Sequence, residues 1–346
     1  MISLPIKQVI QETHDTITLL FDLPANSWPY QAGQFVTIGT TIAGSRYYRS
    51  YSLAPVTSEQ PCPAITIKRA PNGIVSNYLH DHIQAGSYLE CSSPQGHFTL
   101  PSESHLTGHF VFIAAGSGIV PLFAMIHELL AKSSVATATL LYANRDEASI
   151  IYHKQIHALA SDHPDRLAVT DILSQPQASW QGPTGRLDAP MLLSSFSKEE
   201  LFASSYYLCA PEAMMVAIRK TLSVAGVASD KVHQESFLST SPAAPPSEAL
   251  DKAASLTIHQ DDESYEVVVE KGETLLDAAL DQGIDIPVSC SSGICNTCRA
   301  RCLEGKVHMS EDVGLSDEER EEGYVLTCVG YPASEKVVIS LEDEWS

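Results

Sequence analysis

Five of the eight cysteines lie in one stretch near the carboxyl end of the chain: Cys290, Cys295, Cys298, Cys302 and Cys328. The first three form a C-x4-C-x2-C loop, and Cys328 follows downstream. Four soft thiolates at this spacing are typical of the ligands of a plant-type [2Fe–2S] cluster. A structural zinc site is the alternative, but zinc usually takes paired C-x2-C knuckles and only one such pair is present. We therefore predict that Cys290, Cys295, Cys298 and Cys328 bind the cluster, whereas Cys302 is a small core residue.

The same stretch is strongly acidic. The 346 residues include 21 Lys and Arg against 42 Asp and Glu, and residues 252–346 alone hold 7 basic and 21 acidic side chains. This charge excludes nucleic acid or an anionic membrane as the main partner and favours a cationic protein face. A group of carboxylates between the third and fourth cluster cysteines would steer a basic acceptor, although solubility alone is the alternative. The group comprises Glu311, Asp312, Asp317, Glu318, Glu319, Glu321 and Glu322.

The chain is long enough for two or three domains that position these residues. Residues 1–103 alternate as short strands and predict an antiparallel β-barrel, and residues 104–238 alternate strands with helices, which predicts a doubly wound α/β parallel sheet. Residues 239–254 are predicted to be a linker, which begins with a Pro- and Ser-rich run. Residues 255–346 predict an α+β domain with one helix around 274–282.

The sequence shows no export or membrane-spanning segment, which predicts a cytoplasmic location. The amino terminus has no apolar core of signal-peptide length, and no run approaches the ~18 apolar residues of a membrane span. We therefore expect a cytoplasmic protein with reduced thiols and no membrane partner.

Two motifs in the first domain suit an anionic, aromatic ligand. The first is Arg49-Ser50-Tyr51-Ser52 and the second is Gly73-Ile74-Val75-Ser76. A guanidinium matches phosphate geometry, an aromatic face suits a flat ring, and backbone N–H groups at a helix start bind anions. Taken alone, a surface arginine and a simple turn would also explain them.

Two further motifs end strands of the second domain, where open parallel sheets bind ligands. Gly116-Ser117-Gly118 is followed by Pro121, and Cys209-Ala210-Pro211 ends a later strand. Any tight strand-to-helix turn and a buried, inert thiol are the alternatives.

The motifs stand in the order of the ferredoxin–NADP reductase superfamily, and the whole chain resembles its three-part reductases, in particular the phenylacetyl-CoA epoxygenase reductase subgroup. Pro94-Gln95-Gly96-His97-Phe98 resembles the segment that closes the barrel of this family. The resemblance implies that Tyr51, Ser52 and Cys209 are catalytic. It also implies an FAD site formed by Arg49, Ser50, Tyr51, Ser52, Gly73, Ile74, Val75 and Ser76, with Phe237 at the flavin. The implied NAD(P)H site is Gly116, Ser117, Gly118, Pro121, Cys209, Ala210 and Pro211.

Four residues bear on the nicotinamide coenzyme. Ala210 replaces the usual Gly of the family and Val120 stands where members often have Thr, so both departures fall at the nicotinamide. Arg145 suits a 2′-phosphate and favours NADPH, whereas Asp146 suits the ribose hydroxyls of NADH. Phe237 could also pack in an interdomain core, and Arg145 with Asp146 could be a solvated pair.

The resemblance implies a reductase that passes electrons from NADPH or NADH through FAD and a [2Fe–2S] cluster to a redox acceptor protein. The expected acceptor is an oxygenase component with a basic docking face. A hybrid-cluster protein or another redox enzyme is an alternative acceptor. A non-enzymatic electron carrier with a decayed nicotinamide site is an alternative of another class.

Overall fold

The computed structural model describes residues 1–24, 28–55, 62–237, 249–260, 262–288, 293, 297–309 and 315–342. They form two compact units, Ile2–Phe237 and a second drawn from Leu238–Ser346. Within these ranges, no helix is long and apolar enough to cross a membrane.

An antiparallel sheet of six strands builds the first part of the larger unit, in the order β4-β3-β6-β1-β2-β5. A bridge between Leu53, just after β4, and Ile65 of β5 joins the two edges and closes the predicted barrel. The bridge between Phe35 and Gln95 adds to this closure. Gly96, next to Gln95, lies against the Phe35 ring, and a Cβ at this position would be only 2.9 Å from the ring. The elements are β1 (Ile2–Thr13), β2 (Thr16–Phe21), β3 (Phe35–Ile42), β4 (Ser45–Ser52), β5 (Ala64–Lys68), α1 (Ile74–His82) and β6 (Tyr88–Cys91).

The second part is an all-parallel sheet in the order β11-β10-β7-β8-β9, which confirms the predicted α/β class. Helix α2 buries Leu122, Met125 and Leu129, as its 3.6-residue periodicity predicts. Pro121 is its third residue, where the missing N–H costs no hydrogen bond. The elements are β7 (His109–Ala115), α2 (Ile119–Lys132), β8 (Thr137–Asn144), α3 (His153–Asp162), β9 (Leu167–Leu173), α4 (Ala189–Ser194), α5 (Lys198–Ala203), β10 (Ser205–Cys209), α6 (Glu212–Ala225) and β11 (Val232–Glu235).

A buried polar chain joins the barrel to the parallel sheet. The Tyr152 hydroxyl, just before α3, is hydrogen-bonded to the Thr66 hydroxyl on β5, and Thr66 meets Thr18 on β2 at 2.7 Å. Thr18 in turn donates to Glu12 at 2.7 Å. Burial raises the pKa of Glu12, and hydrogen bonds from Thr18 and Gln155 oppose this. These buried polar side chains satisfy one another's hydrogen bonds and so hold the barrel and the parallel sheet in one relative position.

The second unit contains a mixed sheet in the order β13-β12-β18-β14-β16 and a small pair of β15 with β17. Thr274 caps the predicted helix by accepting from the Asp277 backbone N–H at 3.1 Å. The domain limits at residues 103, 238 and 254 stay predictions. The elements are β12 (Ala254–Gln260), β13 (Glu263–Val269), α7 (Leu275–Asp281), β14 (Arg299–Glu304), β15 (Val307–Met309), α8 (Asp317–Glu321), β16 (Tyr324–Leu326), β17 (Gly330–Pro332) and β18 (Lys336–Ser340).

Candidate functional site

The first motif occupies the end of β4. Strand alternation places Arg49 and Tyr51 on one face and Ser50 and Ser52 on the other. Ser50 meets Thr37 of β3 at 3.1 Å, which fixes the register of the strand pair. Burial raises the pKa of Tyr51, and the charge of Arg49 opposes this, so the phenol is neutral at physiological pH. A cation and a neutral aromatic ring are therefore presented side by side.

The second motif forms the start of α1. A Cβ on Gly73 would lie 2.6 Å from the Ser76 hydroxyl oxygen, which accepts from the Ala70 N–H at 3.1 Å. No side chain of the described residues caps α1, and its first turn carries no acid. Its first N–H groups are thus available to an anion. Together with Arg49, this donor set fits the pyrophosphate of FAD.

The glycine loop after β7 and the cysteine at the end of β10 are brought together because the two strands are neighbours. A Cβ on Gly118 would lie 1.9 Å from the Cys209 carbonyl oxygen and 3.2 Å from its Sγ. Gly116 has φ +54°, and its carbonyl accepts from the Tyr142 hydroxyl at 3.0 Å. Only a glycine at 118 allows this close approach.

Glu235 joins this group, although no role for it was predicted from the sequence. It lies opposite Cys209 in the β10–β11 register and is buried, at 5% exposure. The Ser52 hydroxyl lies 3.5 Å from its Oε2, a long donor distance. Burial, with Glu235 adding to it, raises the pKa of Cys209 well above its usual value. A carboxylate at the carboxyl end of a strand, two residues before Phe237, was the signal that could have revealed it.

Two of the four predicted cluster ligands can be placed. Cys298 immediately precedes β14, and Cys328 follows β16, the strand paired with it. The Thr327 N–H and hydroxyl both donate to the Cys298 carbonyl at 3.1 Å, which ties the two cysteine segments together. Both cysteines are buried, at 2% and 8% exposure. Cys290 and Cys295 lie outside the described residues.

Cys302 occupies a different environment. It is half-buried within β14, with its thiol 3.6 Å from the Glu304 carbonyl, and lies four residues, or about 13 Å, along the strand from Cys298. That position agrees with its exclusion from the ligand set, although it is a strand residue at the edge of the core rather than within it.

Three family models match successive parts of the chain. They are an oxidoreductase FAD-binding domain at residues 3–100, an oxidoreductase NAD-binding domain at 112–220 and a 2Fe-2S iron-sulfur cluster binding domain at 258–333. The chain is 32% identical to one of the subunits of the 1,2-phenylacetyl-CoA epoxidase of Escherichia coli, over 98% of this chain and 97% of that one. It is 34% identical to the ferredoxin reductase component of 3-ketosteroid-9-alpha-monooxygenase of Rhodococcus rhodochrous, over 97% and 95%.

This chain belongs to the three-part reductases of the ferredoxin–NADP reductase superfamily. It is an oxidoreductase that carries electrons from NAD(P)H through FAD and a [2Fe–2S] cluster to a redox acceptor protein. Phthalate dioxygenase reductase shares the fold, with a TM-score of 0.64, 24% identity and 98% coverage of both chains.

The two departures of this reductase from the family pattern are accommodated inside the protein. Val120 is 2% exposed and packs in the same core as Cys209, and Ala210 is 9% exposed and packs in a second core. Neither side chain is left in an open cleft. Phe237 is 39% exposed, and its place beside the flavin stays a prediction.

Arg145 and Asp146 differ in how firmly they are held. Asp146 caps the short turn Glu147–Ser149 and is mostly buried, whereas Arg145 is 62% exposed and lies 3.3 Å from the Asp146 carboxylate. Asp146 thus has a structural role in shaping the loop, and Arg145 keeps its donors accessible to a coenzyme.

One carboxylate of the acidic group is paired with a basic side chain, and three others are exposed to solvent. Glu319 accepts from Arg299 and completes a capping box with Ser316, so its charge is balanced. The side chains of Glu318, Glu321 and Glu322 are exposed. Glu311, Asp312 and the side chain of Asp317 lie outside what the structure describes.

Proposed function

We propose that the acceptor of this reductase is the oxygenase component of a multicomponent oxygenase in the cytoplasm. Its basic face would dock on the carboxylates of α8 and of Glu322, which follows α8. The observation that carries this proposal is the placement of Glu318, Glu321 and Glu322 beside β16, the strand that leads into Cys328. The name of the Rhodococcus relative, the ferredoxin reductase component of a monooxygenase, supports the same class of acceptor.

The proposed FAD site combines Arg49, Ser50, Tyr51 and Ser52 with the α1 start formed by Gly73, Ile74, Val75 and Ser76. Arg49 and the uncapped N–H groups would bind the pyrophosphate, and Tyr51 would lie against the ring. When bound, FAD accepts two electrons together and releases them one at a time. It can therefore link a nicotinamide, which gives electrons in pairs, to an iron–sulfur cluster, which accepts them singly.

The proposed coenzyme site combines Gly116, Ser117, Gly118 and Pro121 with Cys209, Ala210 and Pro211, and Phe237 borders the flavin. Cys209 would orient the nicotinamide as a neutral thiol, because burial and Glu235 both disfavour the thiolate. Ser52 would hold its proton at Oγ, directed either towards Glu235 or towards the bound ring. Arg145 would bind a 2′-phosphate, which favours NADPH as donor.

Removing one cluster ligand separates the two halves of the electron path. In Cys298→Ser we expect loss of cluster iron and of acceptor reduction, while NADPH still bleaches the flavin in anaerobic stopped flow. The matched control Cys302→Ser should keep both. If neither NADPH nor NADH bleached the flavin in wild-type protein that dithionite reduces, the carrier alternative would be correct.

Charge reversal tests the docking face. A variant with Glu318→Lys, Glu321→Lys and Glu322→Lys should reduce the basic acceptor cytochrome c at least tenfold less efficiently at low salt, with a weaker salt dependence. Glu266→Lys is the control, because Glu266 is exposed on β13, at the opposite edge of the same sheet. Equal losses in both variants, or unchanged kcat/KM in the triple variant, would contradict the proposed face.

A further inference from the structure

Three metal-ligating side chains converge on the parallel sheet, in a place that none of the cofactor motifs uses. His153 and His157 stand four residues apart on α3, so both imidazoles lie on one helical face. Asp171 projects from β9, against which α3 packs. The Asp171 Oδ2 is 2.6 Å from the His157 Nε2 and 3.8 Å from the His153 Nε2. One ligand atom of each residue lies within 4.8 Å of the others.

The Asp171 carboxylate is buried and only half satisfied. Its side chain is 5% exposed, and both nearby imidazole nitrogens face the same oxygen. The other oxygen, Oδ1, is buried with no hydrogen-bond partner in the described protein. An unpartnered buried carboxylate oxygen is costly, so a simple His157–Asp171 anchor leaves this arrangement unexplained. A cation held between this carboxylate and the two imidazoles would offset the cost of burying the negative charge.

The donor set selects the class of ion. Two imidazole nitrogens and one carboxylate oxygen suit Zn²⁺ and its neighbours Cu²⁺ and Ni²⁺, whereas Mg²⁺ and Ca²⁺ prefer oxygen alone. Tetrahedral zinc with such ligands spaces the ligand atoms about 3.3 Å apart, within the range of separations seen here. Both imidazoles are 46% exposed, so small ring rotations and a water in the fourth position are available.

We propose that His153, His157 and Asp171 form a binding site for one divalent transition-metal ion of the Zn²⁺ class. The site lies outside the electron path. Helix α3 begins directly after Tyr152, whose hydroxyl holds the barrel through Thr66. A metal ion here ties this connecting helix to β9, the edge strand of the parallel sheet. Its effect is to strengthen the docking of the two parts of the larger unit.

The experiment uses the full chain with FAD and cluster, titrated with Zn²⁺ in a calorimeter and, separately, with Cu²⁺ followed by EPR. The oxidised cluster gives no EPR signal, so a bound Cu²⁺ can be observed directly. We expect one tight site, a Cu²⁺ spectrum with hyperfine splitting from two nitrogens, and a higher unfolding temperature with Zn²⁺. Flavin and cluster absorbance verify that both cofactors stay in place.

Matched substitutions decide the assignment. His153→Gln and His157→Gln should each weaken Zn²⁺ binding at least tenfold and together abolish the two-nitrogen Cu²⁺ spectrum. His163→Gln, the same change at the end of α3 but outside the cluster, should leave binding unchanged. Asp171→Asn tests the buried ligand. If this variant does not fold, the two histidine variants, whose side chains are exposed, still decide the assignment. Unchanged stoichiometry and spectrum in the double histidine variant, or no Zn²⁺ binding by the wild type at micromolar concentrations, would overturn the proposal.

Discussion

Substitution of Gly118 by alanine tests the geometry of the proposed nicotinamide site. The new Cβ would lie 1.9 Å from the Cys209 carbonyl oxygen, whereas real Cβ contacts essentially never fall below 3.0 Å. The loop after β7 and the end of β10 must therefore separate by at least about 1.1 Å, and both are backbone segments that no side-chain rotation can relieve. Gly118→Ala should thus displace two parts of the proposed site at once.

The magnitude follows from this displacement. Overpacking of a buried contact costs about 1–3 kcal/mol of folding stability. A misplacement of about 1 Å in a reacting geometry costs about 100-fold in rate, or about 2.7 kcal/mol of transition-state stabilisation. We therefore expect Gly118→Ala to fold and retain FAD and cluster, but to lose about 100-fold in kcat/KM for NADPH.

Anaerobic stopped flow measures this loss directly as the rate of flavin bleaching by NADPH, with dithionite reduction of the same sample as the reference. Gly108→Ala is the control, because Gly108, at the amino end of β7, has φ +84° and nothing within 4 Å of its Cβ position. It should lose about 1 kcal/mol of stability through backbone strain and keep its hydride transfer. A Gly118→Ala protein that bleaches within twofold of the wild-type rate would refute the reasoning.

Three further outcomes follow from groups outside the loop. Glu12 has a folded pKa above 4.5, so the folded state holds its proton more tightly than the unfolded chain and loses stability as pH rises from 4.5 through the folded pKa. Urea unfolding should show Glu12→Gln gaining on the wild type over that range, and a pH-independent difference would count against it. Arg145→Ala should raise KM for NADPH about tenfold and leave KM for NADH unchanged, and equal changes in steady-state assays would remove Arg145 from coenzyme selection. Ser316→Ala removes an acceptor of the Glu319 N–H and should cost about 1 kcal/mol, seen as roughly fivefold faster hydrogen exchange in α8; unchanged exchange would mean the cap is dispensable.

The parts of the fold that depend on local pattern could be predicted from the sequence. The apolar spacing of α2 and the cap at Thr274 indicate both helices, because each signal lies within a few residues of its effect. The bridge between Leu53 and Ile65 closes the barrel through a long-range pairing, and only the antiparallel class, not this register, was predictable.

The candidate site shows the same division. Arg49 and Cys298 stand in motifs whose spacing points to chemistry. Glu235 was missed because its meeting with Ser52 depends on residues 183 positions apart in the chain. Likewise, the sequence alone does not show that Glu319 pairs with Arg299, which lies 20 positions earlier in the chain.

The burial of Cys209 has a consequence for the lifetime of the reductase. Reduced flavins leak electrons to dioxygen and produce hydrogen peroxide, which attacks thiolates and hardly attacks thiols. Cys209 is 1% exposed, and its raised pKa keeps it protonated at physiological pH. This thiol of the proposed nicotinamide site is therefore protected from peroxide formed by a reduced flavin, and repeated turnover in air should leave it unmodified.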